Sequence, residues 1–432
     1  MKYRILALIL AAFTLLVVAR ILFVPEPLPP LDPTTAKIRA WTSTQTAAEQ
    51  PQTQLSDVFV TTGDFKQRYG YMSLDEAGKA AYENIYNAVM NYHRYVDLSI
   101  TPVPWQQQIL VYSCFYDDNP EIFWIMPTAE KYFNIGEELV GMIIAYREPE
   151  SKDIFDDETH DLTYKVPDEK INQMREEFTA KINEILQTIS PDDDQIAREL
   201  KIYNRIAETV SYDQELADGK NSEDIHRSAY GAVVKNSTIC TGYSEMFKIL
   251  CDRVGIESVI QFGTLEDSGH AWNVVKLGEN YYNVDVTNAG TVNDGDGALP
   301  IYRYFNLTDT QIESTHTVEQ MMSDDIALSY PPPKCEADEF TFETLFAFPA
   351  ANFPLPAEVI EQKIENIDKY NLPAIYIVFP YGTTFGDAED YVNYKSKYPK
   401  LNFYQYTKNR FTITDEYSYS SHYHTAYMRI GQ

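Results

Sequence analysis

Ile239-Cys240-Thr241-Gly242-Tyr243-Ser244, then Gly269-His270-Ala271-Trp272-Asn273, then Tyr282-Asn283-Val284-Asp285-Val286-Thr287 are the stretches of this 432-residue chain that decide its fold. From Tyr243 onward apolar residues recur at 243, 246, 247, 250, 251 and 254, the period of a helix with one buried face. Cys240 therefore stands in the first turn of that helix, where unpaired amide groups and the dipole favour a thiolate. The two later stretches read as strands on either side of the turn Leu277-Gly278-Glu279-Asn280, a hairpin. A loop of even length puts His270 and Asp285 on one face, directly opposite or diagonal, ~5–8 Å apart at Cβ. At that spacing a carboxylate can set the tautomer of an imidazole. Each residue has a plainer reading alone: a single cysteine is usually a small buried hydrophobe, and a strand histidine usually just a satisfied one. The joint pattern, a helix-start cysteine followed by a His/Asp hairpin, has the logic of nucleophile, base and orienting acid.

In order and spacing these motifs resemble the bacterial transglutaminase-like domain of the papain-like cysteine protease superfamily, over about residues 206–309. Val210-Ser211-Tyr212-Asp213 is similar to its pre-site motif, and Ser228-Ala229-Tyr230-Gly231-Ala232 to the segment leading to its nucleophile. Tyr304-Phe305-Asn306 followed by His316 resembles its closing element, and Asp117-Asp118-Asn119-Pro120-Glu121-Ile122-Phe123-Trp124 a segment found upstream in bacterial members. The resemblance implies an α+β fold with a papain-like transglutaminase core, the nucleophile helix packed on an antiparallel sheet. It implies that the Cys240 thiolate attacks an amide carbonyl to form a thioester. His270 would share a charged pair with Cys240 and protonate the leaving amine, and Asp285 would orient His270. A water acceptor makes this a protease or amidase, an amine acceptor a transglutaminase; a domain of this kind leans to hydrolysis. Tyr243 and Trp272 flank the triad, as substrate-binding residues of an acyl pocket or as core. The family often carries an aromatic residue where Asn288 stands, so the wall beside Asp285 is expected to differ. A second reading keeps the papain-like fold as a non-catalytic surface binding module.

No cofactor is implied, and no metal. Asp294 and Asp296 suit calcium in kind, but their loop lacks the bidentate Glu of an EF-hand. The four cysteines are too few for a disulfide scaffold. Cys240 and Cys251 cannot pair, since eleven residues of helix separate them by ~16 Å and a bridge needs Cα atoms within ~7 Å.

Apolar residues make up 44% of the chain, with 33 Tyr, 21 Phe and 4 Trp, enough for substantial cores. The net charge of −29 repels phosphate backbones and anionic membranes, which excludes nucleic acid as a partner. Lys2 and Arg4 precede an apolar run from Ile5 to Ala19, and Arg20 is followed by four more apolar residues. This reads as a signal anchor or signal peptide over residues 1–25, long enough at ~20 residues to span a bilayer. The chain is therefore expected at the cell membrane by a single N-terminal pass with its body outside, or secreted, with a protein or peptide substrate in or near the cell envelope. A Pro/Thr/Gln-rich linker over 26–57 leads to a mixed N-terminal α+β domain over 58–165. The transglutaminase-like domain is expected over 166–330 and a small C-terminal α/β domain over 336–432, after Pro331-Pro332-Pro333. Periodicity predicts helices over 75–95, 168–189, 194–210, 357–369 and 387–397. It predicts strands over 140–146, 340–348 and 373–379, β-rich runs over 402–414 and 422–430, and short strands or helix ends over 109–115 and 122–126.

Overall fold

Helix α1 (Glu76–Met90) begins where Asp75, in extended conformation, accepts the Gly78 amide at 2.8 Å and so satisfies one of the orphan donors of the first turn. Its buried face is Ala81, Tyr82, Ile85 and Val89, as the spacing predicts. The computed structural model describes residues 65–147, 166, 168–220, 224–266, 268–293, 298–318, 320–323, 326–349 and 355–379, with short segments 412–413, 418–420 and 425–431 beyond. The expected anchor and linker, the Asp294/Asp296 loop and the helix expected over 387–397 lie outside the described residues. Among those described, no helix is long and apolar enough to cross a membrane.

After α1 come β1 (Tyr95–Asp97) and β2 (Val103–Pro104), then α2 (Gln108–Asp118) and the hairpin β3 (Lys131–Ile135) and β4 (Glu138–Ile143). Strand β4 pairs antiparallel with β1, β2 and β3. The 109–115 run is helix, not strand. Gln108, Val111 to Phe115, Asp117 and Asp118 are all buried, so no polar face marks its period in the sequence. The 122–126 run forms no strand beyond a single bridge, Ile125 to Tyr146.

Two long helices follow, α3 (Glu169–Leu186) and α4 (Gln195–Thr209), the second capped by the Asp194 carboxylate on the Ala197 amide. Strand β5 (Ser211–Tyr212) lies parallel to β6 (Ser237–Thr238), which runs directly into α5 (Cys240–Arg253). Then come β7 (Ser258–Leu265), β8 (Ser268–Leu277) and β9 (Asn280–Val284), the small pair β10 (Gly290–Asn293) and β11 (Ala298–Ile301), and β12 (His316–Val318). These make an antiparallel sheet in the order β12-β7-β8-β9, with α5 packed across β7 and β8. The hairpin is the one expected; β7 and β12, on its other side, extend the sheet beyond it.

The expected strand over 340–348 is a short helix, Phe342–Leu345, followed by β13 (Phe348–Pro349). Thr341 accepts the Thr344 amide, and that cap overrides the alternation. Helix α6 (Ala357–Lys369) and β14 (Ala374–Val378) match expectation. Strands β15 (Thr412–Ile413), β16 (Ser418–Ser420) and β17 (Thr425–Gly431) complete a sheet in which β17 pairs antiparallel with β14, β15 and β16.

Gly242 shows how tightly the start of α5 is seated. A Cβ there would lie 2.1 Å from Thr238 Oγ1 and 2.8 Å from the Ser228 carbonyl. Gly242→Ala is therefore expected to destabilise the protein by about 1–3 kcal/mol, the usual cost of overpacking. Urea unfolding followed by tryptophan fluorescence measures it, and an unchanged midpoint contradicts the packing described.

Candidate active site

Strand β6 delivers Cys240 to the site. Thr238 pairs with Tyr212, accepts the Asp213 amide at 2.8 Å through its carbonyl, and donates its hydroxyl to the His226 carbonyl at 2.6 Å. Ile239, in extended conformation, caps α5 without a side-chain hydrogen bond. The first amide groups of α5 therefore carry no side-chain cap.

His270 and Asp285 come from the hairpin. The β8–β9 register pairs Asn273 with Val284. Continued one step, it sets Asp285 opposite Trp272 and diagonal to His270, the arrangement expected from the even loop. The chain leaves the sheet at that point, and the Asp285 amide donates to the Tyr304 carbonyl at 3.0 Å. On its other edge His270 pairs with Gly263 of β7. A Cβ at Gly263 would lie 2.0 Å from the Thr317 carbonyl of β12, so only glycine lets that strand close over the site.

His270 Nε2 lies 2.9 Å from Asp285 Oδ2, and the ring is electrostatically linked to the Cys240 thiol. All three side chains are buried. Burial opposes charge on His270, but the Asp285 carboxylate and the Cys240 contact outweigh it and push the imidazole up to about 10. Burial likewise opposes charge on Asp285, and the facing His270 and His316 hold its carboxyl well below the usual range.

Two residues complete this network. His316 Nε2 lies 3.1 Å from the same Asp285 Oδ2, and Asn288 Nδ2 donates to that oxygen at 2.6 Å. Asp285 Oδ1 accepts the amides of Thr287 at 3.0 Å and Asn288 at 3.3 Å. The place where the family often has an aromatic is thus used to hold the carboxylate. His316, which the sequence offers only as part of a closing element, reaches Asp285 from β12, three positions across the sheet from β9. His270, Asp285 and His316 each bring one ligand-type atom within 4.8 Å of the others, a set able in principle to hold a metal ion. Hydrogen bonds among the three already occupy those atoms.

Tyr243 and Trp272 are both buried, and the Trp272 ring lies 6.1 Å from that of His270. The Tyr243 hydroxyl donates to the Val210 carbonyl at 2.8 Å, and Trp272 Nε1 donates to Asn283 Oδ1 at 3.0 Å. The aromatic side chain that does face solvent near the thiol is Tyr212, 46% exposed and electrostatically linked to Cys240. Cys114, Cys251 and Cys335 are free and buried. Burial pushes all three thiols up, reinforced by Asp118, Glu199 and Asp309 respectively.

Residues 183–286 match the transglutaminase-like superfamily. The chain carries a transglutaminase-like domain. Two solved structures are similar to it. One, described as a TGase, has 14% identity and a TM-score of 0.24 over 39% of this chain and 46% of that one. The other, described as a putative cysteine protease from Cytophaga hutchinsonii, has 16% identity and a TM-score of 0.21 over 41% of this chain and 67% of that one. This chain thus spans about half the length of the first. A comparison with curated proteins gives no match. The transglutaminase-like domain has the papain-like fold, which cysteine proteases and transglutaminases share, and Cys240, His270 and Asp285 all lie within the matched residues. His316 lies thirty residues beyond them.

The site makes a pH prediction. An imidazole raised above its unfolded value of about 6.5 adds stability that is full below that pH and lost as pH rises through about 10. Between pH 7 and 10.5 the wild-type melting temperature should therefore fall more steeply than that of His270→Gln; parallel curves would refute the pairing.

Proposed function

We propose that the protein is an exported thiol enzyme acting on protein or peptide amides, with Cys240, His270 and Asp285 as its catalytic triad. The observation that carries this reading is the buried His270–Asp285 pair at 2.9 Å, with the buried Cys240 at the start of α5 electrostatically linked to His270. Cys240 at a helix start supplies the nucleophile. Its sulfur forms a bond to the amide carbonyl carbon, and amide groups at the start of α5 receive the oxyanion. The C–N bond then breaks, His270 gives its proton to the departing amine, and a thioester on Cys240 remains. Water, deprotonated by His270, releases the acid and restores the thiol; an amine in place of water would give transamidation. The resemblance to bacterial domains of this kind favours hydrolysis. Lys2, Arg4 and the apolar run after them support export, with this N-terminal segment anchoring the body outside the membrane. The acidic body suits a peptide substrate in the cell envelope rather than a nucleic acid.

Iodoacetamide at neutral pH should alkylate Cys240 of the full-length protein at least tenfold faster than Cys114, Cys251 or Cys335, and His270→Ala should remove the difference. Equal, slow labelling of all four would sink the reading. Mass spectrometry after exposure to cell-envelope material should show an acyl adduct on Cys240 that Cys240→Ala lacks.

A further inference from the structure

A carboxylate that serves one catalytic histidine is usually described with that histidine alone. Here Asp285 Oδ2 is shared: His270 lies at 2.9 Å and His316 at 3.1 Å from the same oxygen. His316 is fully enclosed, with Trp272 at 5.0 Å and Tyr304 at 5.5 Å edge-on to its ring and the His270 ring at 5.5 Å. Its Nδ1 lies 2.9 Å from Thr315 Oγ1. A threonine hydroxyl can donate to a bare Nδ1, which leaves the His316 proton on Nε2, aimed at Asp285.

We propose that His316 is a positioning residue that limits how tightly Asp285 holds the His270 imidazolium. The inference rests on the thiol-enzyme reading above and adds a regulator to that same site. A hydrogen bond to Oδ2 stabilises the carboxylate's charge and takes up lone-pair capacity that His270 would otherwise have to itself. A general acid that must release its proton to a leaving amine works best when that proton is not held too firmly. Burial against a carboxylate alone makes the hold firm, and the second N–H on the same oxygen loosens it. Asn288 donates to Oδ2 as well, but as a fixed amide within three residues it shapes the turn after β9, whereas His316 arrives from β12 and ties the carboxylate to the far edge of the sheet. The titratable and charged groups facing this network are Cys240 from α5, Tyr212 from β5, Tyr304 from the segment after β11, and Asp285 and His316 themselves.

The test follows the rate of Cys240 alkylation by iodoacetamide in the full-length protein, by brief pH jumps from pH 5 to 11.5. A Cys–His pair gives two steps, one as the thiolate forms beside the imidazolium and one as the imidazolium loses its proton. His316→Phe keeps the ring volume and removes the donor; its second step should move up by at least half a pH unit. H316Q, which keeps an N–H, should restore the wild-type profile. A second step in H316F that stays in place or moves down, as loosened packing would cause, overturns the proposal, and so does an H316Q profile as altered as that of H316F. If H316F does not fold, the nitrogen-15 shifts of His316 in the wild-type protein at pH 8 decide instead: a proton on Nε2 supports the proposal and a proton on Nδ1 rejects it. A wild-type profile without the step that His270→Ala abolishes would reject the thiol-enzyme reading rather than the role of His316 alone.

Discussion

A carboxylate with no access to water keeps its charge only where donors replace the water it lost. Asp285 is such a group, with no exposed surface and five donors: two histidine rings, the Asn288 amide and two backbone amides. Each donor comes from a piece of chain that must be in place first. His270 needs β8 in register with β9, the backbone amides need the turn just after β9, and His316 needs β12 laid against β7. The sheet order and the seat of α5 are therefore bound to one buried negative charge. The charge on His270, and its hold on Cys240, follow from it.

A second buried polar network supports α5 from behind. The Tyr116 hydroxyl of α2 donates to Glu245 at 3.1 Å, and Glu245 also accepts the Ala229 amide. Arg147 donates to Tyr116 and to Asp224 at 2.9 Å each. Burial raises Glu245 to about 7, with Arg147 opposing the shift. These contacts join the segment before residue 148 to α5 through groups that would be costly to leave unpaired. One apolar cluster accompanies them, running from Tyr82 and Phe115 through Phe247 and Tyr282 to Phe346 and Tyr376. The thiol helix is thus held on one face by the sheet and on another by residues far earlier in the chain.

The parts of the fold legible in the sequence are those set by neighbours along the chain. Asp75 and Asp194 announce helices because a cap acts within three residues. The α5 period and the Gly278 turn announce the helix and hairpin that carry Cys240, His270 and Asp285. Legibility fails where surroundings replace local pattern. Helix α2 has no polar face because it is enclosed on every side. The 340–348 run alternates like a strand, yet Thr341 captures an amide and winds it into a helix. Tyr243 and Trp272 are both buried with their polar atoms partnered, and only the fold shows that the Trp272 ring packs on His270 and His316.

The sequence by itself determined the order of cysteine, histidine and aspartate, and the elements that bear them. Those elements form from contacts over a few residues, and a hairpin register is set by its turn. Only the tertiary structure decided that the aspartate serves two histidines. His316 and Asp285 are 31 residues apart and sit on opposite edges of a four-stranded sheet. Their meeting depends on β7 and β8 passing between them, with a glycine in β7 where any side chain would collide, and no local pattern encodes a contact made across two intervening strands.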